Sequence, residues 1–129
     1  MDACPFCPPI KTEELIMESE YCLFIANTDD TLAGSGMIVP KQHRETVFDL
    51  TPEEFNDTHF LLLRAKAWMD DIMKPDGFTV GWNCYPVGGQ TVPHAHLHVI
   101  PRFQDEPLAG KGLRHHLKQK NNQRTSQRI

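Results

Sequence analysis

Three histidines occupy alternate positions late in the chain, at His94, His96 and His98. On a β-strand, residues two apart point to the same face and lie about 6.6 Å apart along it. The spacing therefore predicts a strand with three imidazoles on one face and apolar residues on the face that packs against a core. The intervening apolar residues are Ala95, Leu97 and Val99. Each imidazole can act as a nucleophile, acid, base or metal ligand near neutral pH.

Four interpretations of this histidine row are open from residue types alone. They are a solvated strand face, a catalytic metal bound by all three histidines, a non-catalytic binding face, and covalent catalysis on a phosphate ester. In the last, a neutral imidazole attacks phosphorus while its neighbours orient it and neutralise charge. The preceding loop favours this interpretation, because Gly88 and Gly89 allow backbone N–H groups to approach anionic oxygens and Thr91 adds a hydroxyl.

Composition excludes several other classes of protein. The chain has 129 residues, of which 40% are hydrophobic and 23% charged, as expected for one globular domain. A net charge of −4 argues against nucleic acid as the main partner. No apolar run approaches the roughly 18 residues of a transmembrane helix, and the N-terminal residues do not resemble a signal peptide. We therefore expect a cytoplasmic protein with no membrane partner.

Charge divides the chain into a body and a tail. Residues 1–106, the predicted domain, hold seven basic and 17 acidic residues, whereas residues 107–129 hold six basic and no acidic ones. This basic C-terminal tail fits either a solvated segment or a contact for an anionic ligand or a partner subunit.

One long helix and several short strands must position the histidine row. Thr51, Pro52 and Glu54 form a helix start with a capping box, and Pro75 ends the helix near Lys74. Predicted strands cover residues 21–27, 37–39, 78–84 and 94–102, and a weaker helical pattern covers residues 12–19. Strands on both sides of one helix indicate an α+β domain with a mostly antiparallel sheet.

The segment GGQTVPHAHLHVIPR resembles the signature of the histidine triad (HIT) family. The resemblance extends over residues 4–103, and the segment VPKQH that ends at His43 resembles the strand end before the family's helix. It implies a single HIT-like domain and a homodimer. It also implies a nucleotide hydrolase or nucleotidyl transferase, with dinucleoside polyphosphates favoured as substrates and purine nucleoside phosphoramidates as the alternative.

The resemblance also implies roles for the three histidines. His96 would be the nucleophile that forms a nucleotidyl-histidine intermediate. His98 would bond phosphate oxygens and help to handle the leaving group. The backbone carbonyl of His94 would hold the His96 ring in the attacking tautomer.

Substrate contacts follow from the same resemblance. Asn83 matches a position that contacts phosphate, and Asn27 stands where other members carry a residue that holds the ribose. Phe24 is either an apolar wall against the base or a core residue, and Ser35 stands where many members have a histidine. The predicted substrate-binding residues are Phe24, Asn27, Asn83, Gly89, Gln90 and Thr91.

Two cysteines, Cys4 and Cys7, form a C-x-x-C pair, which alone is a weak signal. In many bacterial HIT proteins such a pair binds a structural zinc together with two histidines that map to His43 and His94. The resemblance therefore implies a Zn²⁺ site of these four residues, the alternative being a reduced pair without metal. Two other classes stay open, a non-catalytic nucleotide-binding protein and a zinc-held interaction module.

Overall fold

The computed structural model describes residues 4–126 and contains one antiparallel sheet in the order β1-β2-β3-β5-β4. The strands are β1 (Leu15–Glu18), β2 (Cys22–Ala26), β3 (Gly36–Pro40), β4 (Gly77–Gly81) and β5 (Leu97–Arg102). The helices are α1 (Pro52–Ile72) and α2 (Leu113–Leu117). The predicted α+β class with one long helix is confirmed.

Helix α1 begins where its capping signals predict. The Thr51 backbone N–H donates to Glu54 Oε1 at 2.8 Å, and the Glu54 N–H donates back to Thr51 Oγ1 at 3.1 Å. The helix ends at Ile72, two residues before the predicted end. Its buried residues Leu61, Ala65 and Met69 pack on one face of the sheet with Phe24, Leu97 and Val99.

The short helix predicted over residues 12–19 is wrong. Residues Leu15–Glu18 form β1, which pairs with β2 and contains an irregularity between Leu15 and Met17. An isolated helix of eight residues is marginal in water, whereas pairing with β2 satisfies the same backbone groups through a sheet ladder. Tertiary pairing therefore outweighs the local helical pattern.

The second face of the sheet carries an apolar cluster of its own. Leu23, Ile25 and Val39 are buried there, packed against Phe6, Ile10, Leu15 and Met37. Because side chains alternate along a strand, Cys22 and Phe24 face α1 while Leu23 and Ile25 face the opposite side. Met37 lies opposite His98 on β5, so this second face is the one that carries the histidines.

Arg102, at the end of β5, attaches the basic tail to the sheet. Its guanidinium donates to Thr79 Oγ1 at 2.9 Å, to Leu108 O at 2.7 Å and to Lys111 O at 2.9 Å, and it pairs with Glu106 at 2.8 Å. Beyond these contacts, every residue from 110 to 126 is exposed. Neither helix in residues 4–126 has the length and apolar character that crossing a membrane requires.

A buried carboxylate links the start of α1 to the histidine segment. Glu54 is 2% exposed and accepts from Arg44 Nε at 3.0 Å. The Arg44 carbonyl in turn accepts from the Ala95 N–H at 2.7 Å. Burial alone would raise the pKa of Glu54, but the hydrogen bonds from Thr51 and the Arg44 charge outweigh it and hold that pKa below its ordinary value.

We expect Glu54→Ala to lower the free energy of unfolding by about 2–3 kcal/mol near neutral pH. The change removes half of a capping box and one partner of a buried ion pair. The expected loss is smaller than the about 3–5 kcal/mol of a fully buried pair, because Arg44 keeps contact with water. Because the pKa of Glu54 is lower in the folded state, its carboxylate stabilises the fold at pH values above the unfolded carboxyl pKa of about 4.3. This stabilisation is lost as the pH falls through the folded pKa.

Urea unfolding at neutral pH and at about pH 3 measures both effects. The exposed neighbour Glu53 provides the matched control, since Glu53→Ala should cost within about 0.5 kcal/mol. A difference between wild type and Glu54→Ala that stays constant down to acid pH would contradict the assigned pKa direction.

Candidate active site and metal centre

The histidine row enters the sheet partway along its length. Strand β5 starts at Leu97, so His94 and His96 precede the regular strand that the spacing predicts from His94 onward. The predicted alternation nevertheless holds, because Ala95, Leu97 and Val99 are at most 2% exposed. His94 and His96 are themselves 0% and 4% exposed, so the interpretation as a solvated strand face is wrong.

The His96 ring is fixed in one tautomer by its backbone neighbour. Its Nδ1 lies 2.8 Å from the carbonyl oxygen of His94. A carbonyl can only accept, so Nδ1 carries the proton and Nε2 of the neutral ring keeps its lone pair. This is the hydrogen bond that the family resemblance implies. Two other rings contact His96, that of Phe6 with centroids 4.9 Å apart and that of His98 at 4.8 Å.

His98 is the one histidine of the row that lies in the regular sheet. It pairs with Met37 on β3 and with Gly81 on β4. Burial, and then the proximity of His96, lower the pKa of His98 below its ordinary value. His98 is therefore a neutral imidazole near neutral pH, beside the ring that carries the free lone pair.

His94 is directed away from the other two histidines by a second backbone bond. Its Nε2–H donates to the Pro40 carbonyl at 2.9 Å, which leaves the lone pair on Nδ1. That atom lies 3.3 Å from Cys4 Sγ, 3.5 Å from Cys7 Sγ and 3.2 Å from His43 Nδ1. Burial is the main cause that lowers the pKa of His94, so the ring is neutral and suited to bind a cation.

Four donor groups converge at this point and form a candidate metal centre. The donor atoms of Cys4, Cys7, His43 and His94 all lie within 4.8 Å of one another. Burial and the adjacent Cys4 raise the pKa of the Cys7 thiol to about 11 in the absence of a cation. Two thiols and two imidazoles that face one point match the donor set of a closed tetrahedral metal site.

The loop before the histidines differs from its predicted role in two respects. The N–H groups of Gly88, Gly89 and Gln90 donate to carbonyls of Tyr85 and Pro86 within the turn, so they are not available to phosphate in this conformation. The Gln90 side chain is buried and bonds Tyr85 N at 2.8 Å and the carbonyls of Glu45 and Val92 at 2.6 and 2.9 Å. Gln90 therefore holds the loop together.

Other predicted contacts of this loop are placed near each other. Gly89 has a φ of 98°, which a residue with a side chain rarely adopts. The Asn83 side chain lies directly beneath it, 3.5 Å from the position of a Cβ at Gly89. Thr91 follows on the exposed surface. Asn83 and Gly89 are thus neighbours in space, and Thr91 follows Gly89 by two positions, shortly before the histidine row.

Phe24 occupies the core. It has no exposed surface and its ring packs edge-on against Trp68 of α1. The interpretation of Phe24 as a wall against the base is therefore wrong, because the side chain points to the helix face of the sheet. Its neighbours Leu23 and Ile25 point to the histidine face, together with Met37. The alternation of β2 separates the two sets, and Leu23 and Ile25 are themselves only 5% and 2% exposed.

Asn27 and Ser35 lie side by side at the far end of the same face. The Asn27 N–H donates to Ser35 O at 2.9 Å, and Asn27 Oδ1 accepts from Asp29 N at 3.0 Å. A Cβ at Gly34 or Gly36 would approach side chains on the helix side, so Ser35 between them points to the histidine side. Its hydroxyl is buried without a hydrogen-bond partner among residues 4–126.

Comparison with known proteins places this geometry in a family. The HIT domain model matches residues 10–105. The chain is 32% identical over 93 residues to a bis(5'-adenosyl)-triphosphatase of Dictyostelium discoideum, and the matched region covers 72% of this chain and 62% of that protein. It is 33% identical over 108 residues to an adenosine 5'-monophosphoramidase of Saccharomyces cerevisiae, and this match covers 81% of this chain and 65% of that protein. The chain thus spans less than two thirds of either relative's length.

Solved structures agree with this placement. A HIT family protein from Bacillus anthracis superposes with a TM-score of 0.67 at 29% identity and covers 71% of this chain and 65% of its own. The diadenosine triphosphate hydrolase of Plasmodium falciparum superposes with a TM-score of 0.68 at 26% identity, and the match covers 75% of this chain and 66% of that structure's chain. Since the family model matches most of the chain, including all three histidines, the chain belongs to the HIT domain family.

Proposed function

We propose that this protein is a nucleotide hydrolase or nucleotidyl transferase that acts through a covalent intermediate on His96. The observation that carries the proposal is the 2.8 Å bond from His96 Nδ1 to the His94 carbonyl. It leaves Nε2 as a nucleophile in the neutral ring and supports the positive charge that the ring acquires on attack.

In the first step the Nε2 lone pair of His96 forms a bond to the α-phosphorus of the nucleotide. The bond between that phosphorus and the leaving group breaks, and the leaving group takes the electron pair. Water then attacks the same phosphorus, the P–N bond breaks, and its electron pair returns to Nε2. One proton from water goes to the leaving group or to solvent, and a nucleoside monophosphate is released.

Neighbouring residues provide the remaining functions of the site. The role of His98 in this proposal is to donate a hydrogen bond to phosphate oxygens, and its ring centroid 4.8 Å from that of His96 supports that role. Asn83 and Thr91 add donors beside the loop, and Asn27 supplies an amide for the ribose. On the histidine face the partly buried Met37 is suited to contact a nucleobase, whereas Leu23 and Ile25 are buried there.

Two substrate classes fit this chemistry. A dinucleoside polyphosphate is favoured, with the bis(5'-adenosyl)-triphosphatase similarity as support. A purine nucleoside phosphoramidate is the alternative, supported by similarity to an adenosine 5'-monophosphoramidase. Both yield the same adenylyl intermediate, since they differ only in the leaving group.

Intact-protein mass spectrometry after brief mixing with each substrate tests the proposal. We expect an acid-labile adenylyl adduct on the wild type with diadenosine tetraphosphate, and less of it with adenosine phosphoramidate. Greater loading by the phosphoramidate would reverse the order of substrates. Absence of adduct and turnover with both, despite binding of adenosine monophosphate, would leave a non-catalytic nucleotide-binding protein.

We assign zinc to the candidate metal centre as a structural ion. Its four protein donors would fill a tetrahedral site and leave no open position for substrate. The ion would hold the N-terminal residues against the histidine segment. We also propose a cytoplasmic location, because the four cysteines form no disulfide with one another, as expected in a reducing compartment. Cell fractionation tests that location.

We propose a homodimer, with a second copy bound along α1 and the edge of the sheet. Strand β4 is an edge strand whose open side can pair with its own copy. Phe60 and Leu63, 51% and 56% exposed, lie on one helix face. Light scattering should give twice the chain mass, and Leu63→Glu should shift it to the monomer. A monomeric wild type at micromolar concentration would contradict the assignment.

A further inference from the structure

Phe6 connects the candidate metal centre to the proposed nucleophile. It lies between the two cysteines of the centre, and its ring centroid is 4.9 Å from that of His96 and 6.1 Å from that of His94. The side chain is partly buried against the apolar cluster on the histidine face. No other aromatic residue of the N-terminal segment 4–14 is present to make this contact.

The metal ligands hold Phe6 from both sides. The Cys7 N–H donates to the Cys4 carbonyl at 3.2 Å, which closes the segment into a turn. Both cysteine sulfurs then face His94 Nδ1, at 3.3 and 3.5 Å. A cation that binds the four donors would fix both ends of the turn and therefore the position of the Phe6 ring.

The His96 ring needs such a contact. Its hydrogen bond to the His94 carbonyl sets the tautomer, but one bond at Nδ1 leaves the ring free to tilt about that contact. In-line attack requires the Nε2 lone pair to point at phosphorus, and a displacement of about 1 Å can cost about 100-fold in rate. The Phe6 and His98 rings are the aromatic groups that restrict this tilt.

We propose that Phe6 is a positioning residue through which the metal centre orients His96. The centre thus acts on the nucleophile by two routes, through the His94 carbonyl and through Phe6. This inference rests on the proposed function of His96, but the placement of the ring can be measured separately from turnover.

The kinetic test compares Phe6→Ala and Phe6→Leu with the wild type in single-turnover formation of the adenylyl adduct. We expect a loss of about 10–100-fold in Phe6→Ala, partial recovery in Phe6→Leu, one bound metal per chain in both, and affinity for adenosine monophosphate within about twofold. Phe78, partly buried at the other end of the sheet, provides the matched control, since Phe78→Ala should keep the adduct rate of the folded protein.

The placement test uses ¹⁵N resonances of the histidine ring nitrogens in zinc-loaded protein. Without substrate, we expect one sharp set of His96 ring resonances in the wild type. In Phe6→Ala we expect the same Nδ1–H tautomer with resonances that are shifted and broadened by motion of the ring. Unchanged resonances and adduct rate in Phe6→Ala would overturn the inference, as would a loss of metal that fully accounts for the lower rate. A wild type that forms no adduct but shows the Phe6-dependent change in the His96 ring resonances would refute the proposed function alone.

Discussion

Replacement of His96 by alanine should lower nucleotide turnover by about 10⁴–10⁶-fold, the range found when a catalytic nucleophile is removed. The physical reason is that Nε2 of His96 carries a free lone pair, because the hydrogen bond to the His94 carbonyl keeps the proton on Nδ1. Affinity for adenosine monophosphate should change little, because the expected phosphate, ribose and base contacts lie on other residues. Steady-state kinetics and calorimetry with the purified variant measure the two quantities.

His59 provides the control for this substitution. It is an exposed histidine on α1, so His59→Ala removes an imidazole without touching the histidine row. We expect wild-type kcat in this variant. Turnover within about tenfold of wild type in His96→Ala would show that another group attacks phosphorus.

Removal of the metal should destabilise the domain and slow catalysis together. An ion present at about 1,000 times its Kd stabilises a folded domain by about 4 kcal/mol, which corresponds to roughly 10 °C or more in Tm for a chain of this size. Activity should fall as well, because His94 both lies in the candidate metal centre and orients His96 through its carbonyl. Thermal unfolding with and without a chelator, combined with elemental analysis, measures the effect.

A double variant separates the metal from side effects of the chelator. Cys4→Ser with Cys7→Ser should reproduce the loss of stability and should no longer respond to chelator. Cys84, a partly exposed thiol outside the cluster, provides the control, since Cys84→Ser should retain one metal per chain. Protein purified without chelator that contains no metal would remove the centre from the proposal.

The sequence predicts best those features that depend on neighbouring residues. The capping box of Thr51 and Glu54 involves positions three apart, and the alternation of His98 and Val99 needs only a strand backbone. The proximity of His43 to His94, 51 positions apart, follows from the family resemblance and not from local pattern. The location of the candidate metal centre is thus predicted by the family resemblance, whereas its ability to bind a metal is predicted by its cysteine and histidine side chains.

Errors occur where long-range contacts decide the outcome. Both faces of β2 are apolar, so hydrophobicity does not tell which of Phe24 and Leu23 faces the histidines. Gln90 has a side chain fit for phosphate, yet it bonds the Glu45 carbonyl, 45 positions away. Pairing of β1 with β2 likewise replaces the helix predicted over residues 12–19.

The start of β5 at Leu97 divides the histidine row between an irregular segment and the regular sheet. His98 belongs to the central sheet, held by strands on both sides. His94 and His96 lie in the irregular segment before the strand, which is held by individual hydrogen bonds such as Ala95 N–H to Arg44 O and His94 Nε2–H to Pro40 O. We expect this segment to open locally at a lower free energy than the sheet. Metal bound at the proposed centre would therefore set how often the proposed nucleophile is correctly placed relative to His98, and we expect catalysis to respond to metal occupancy without global unfolding.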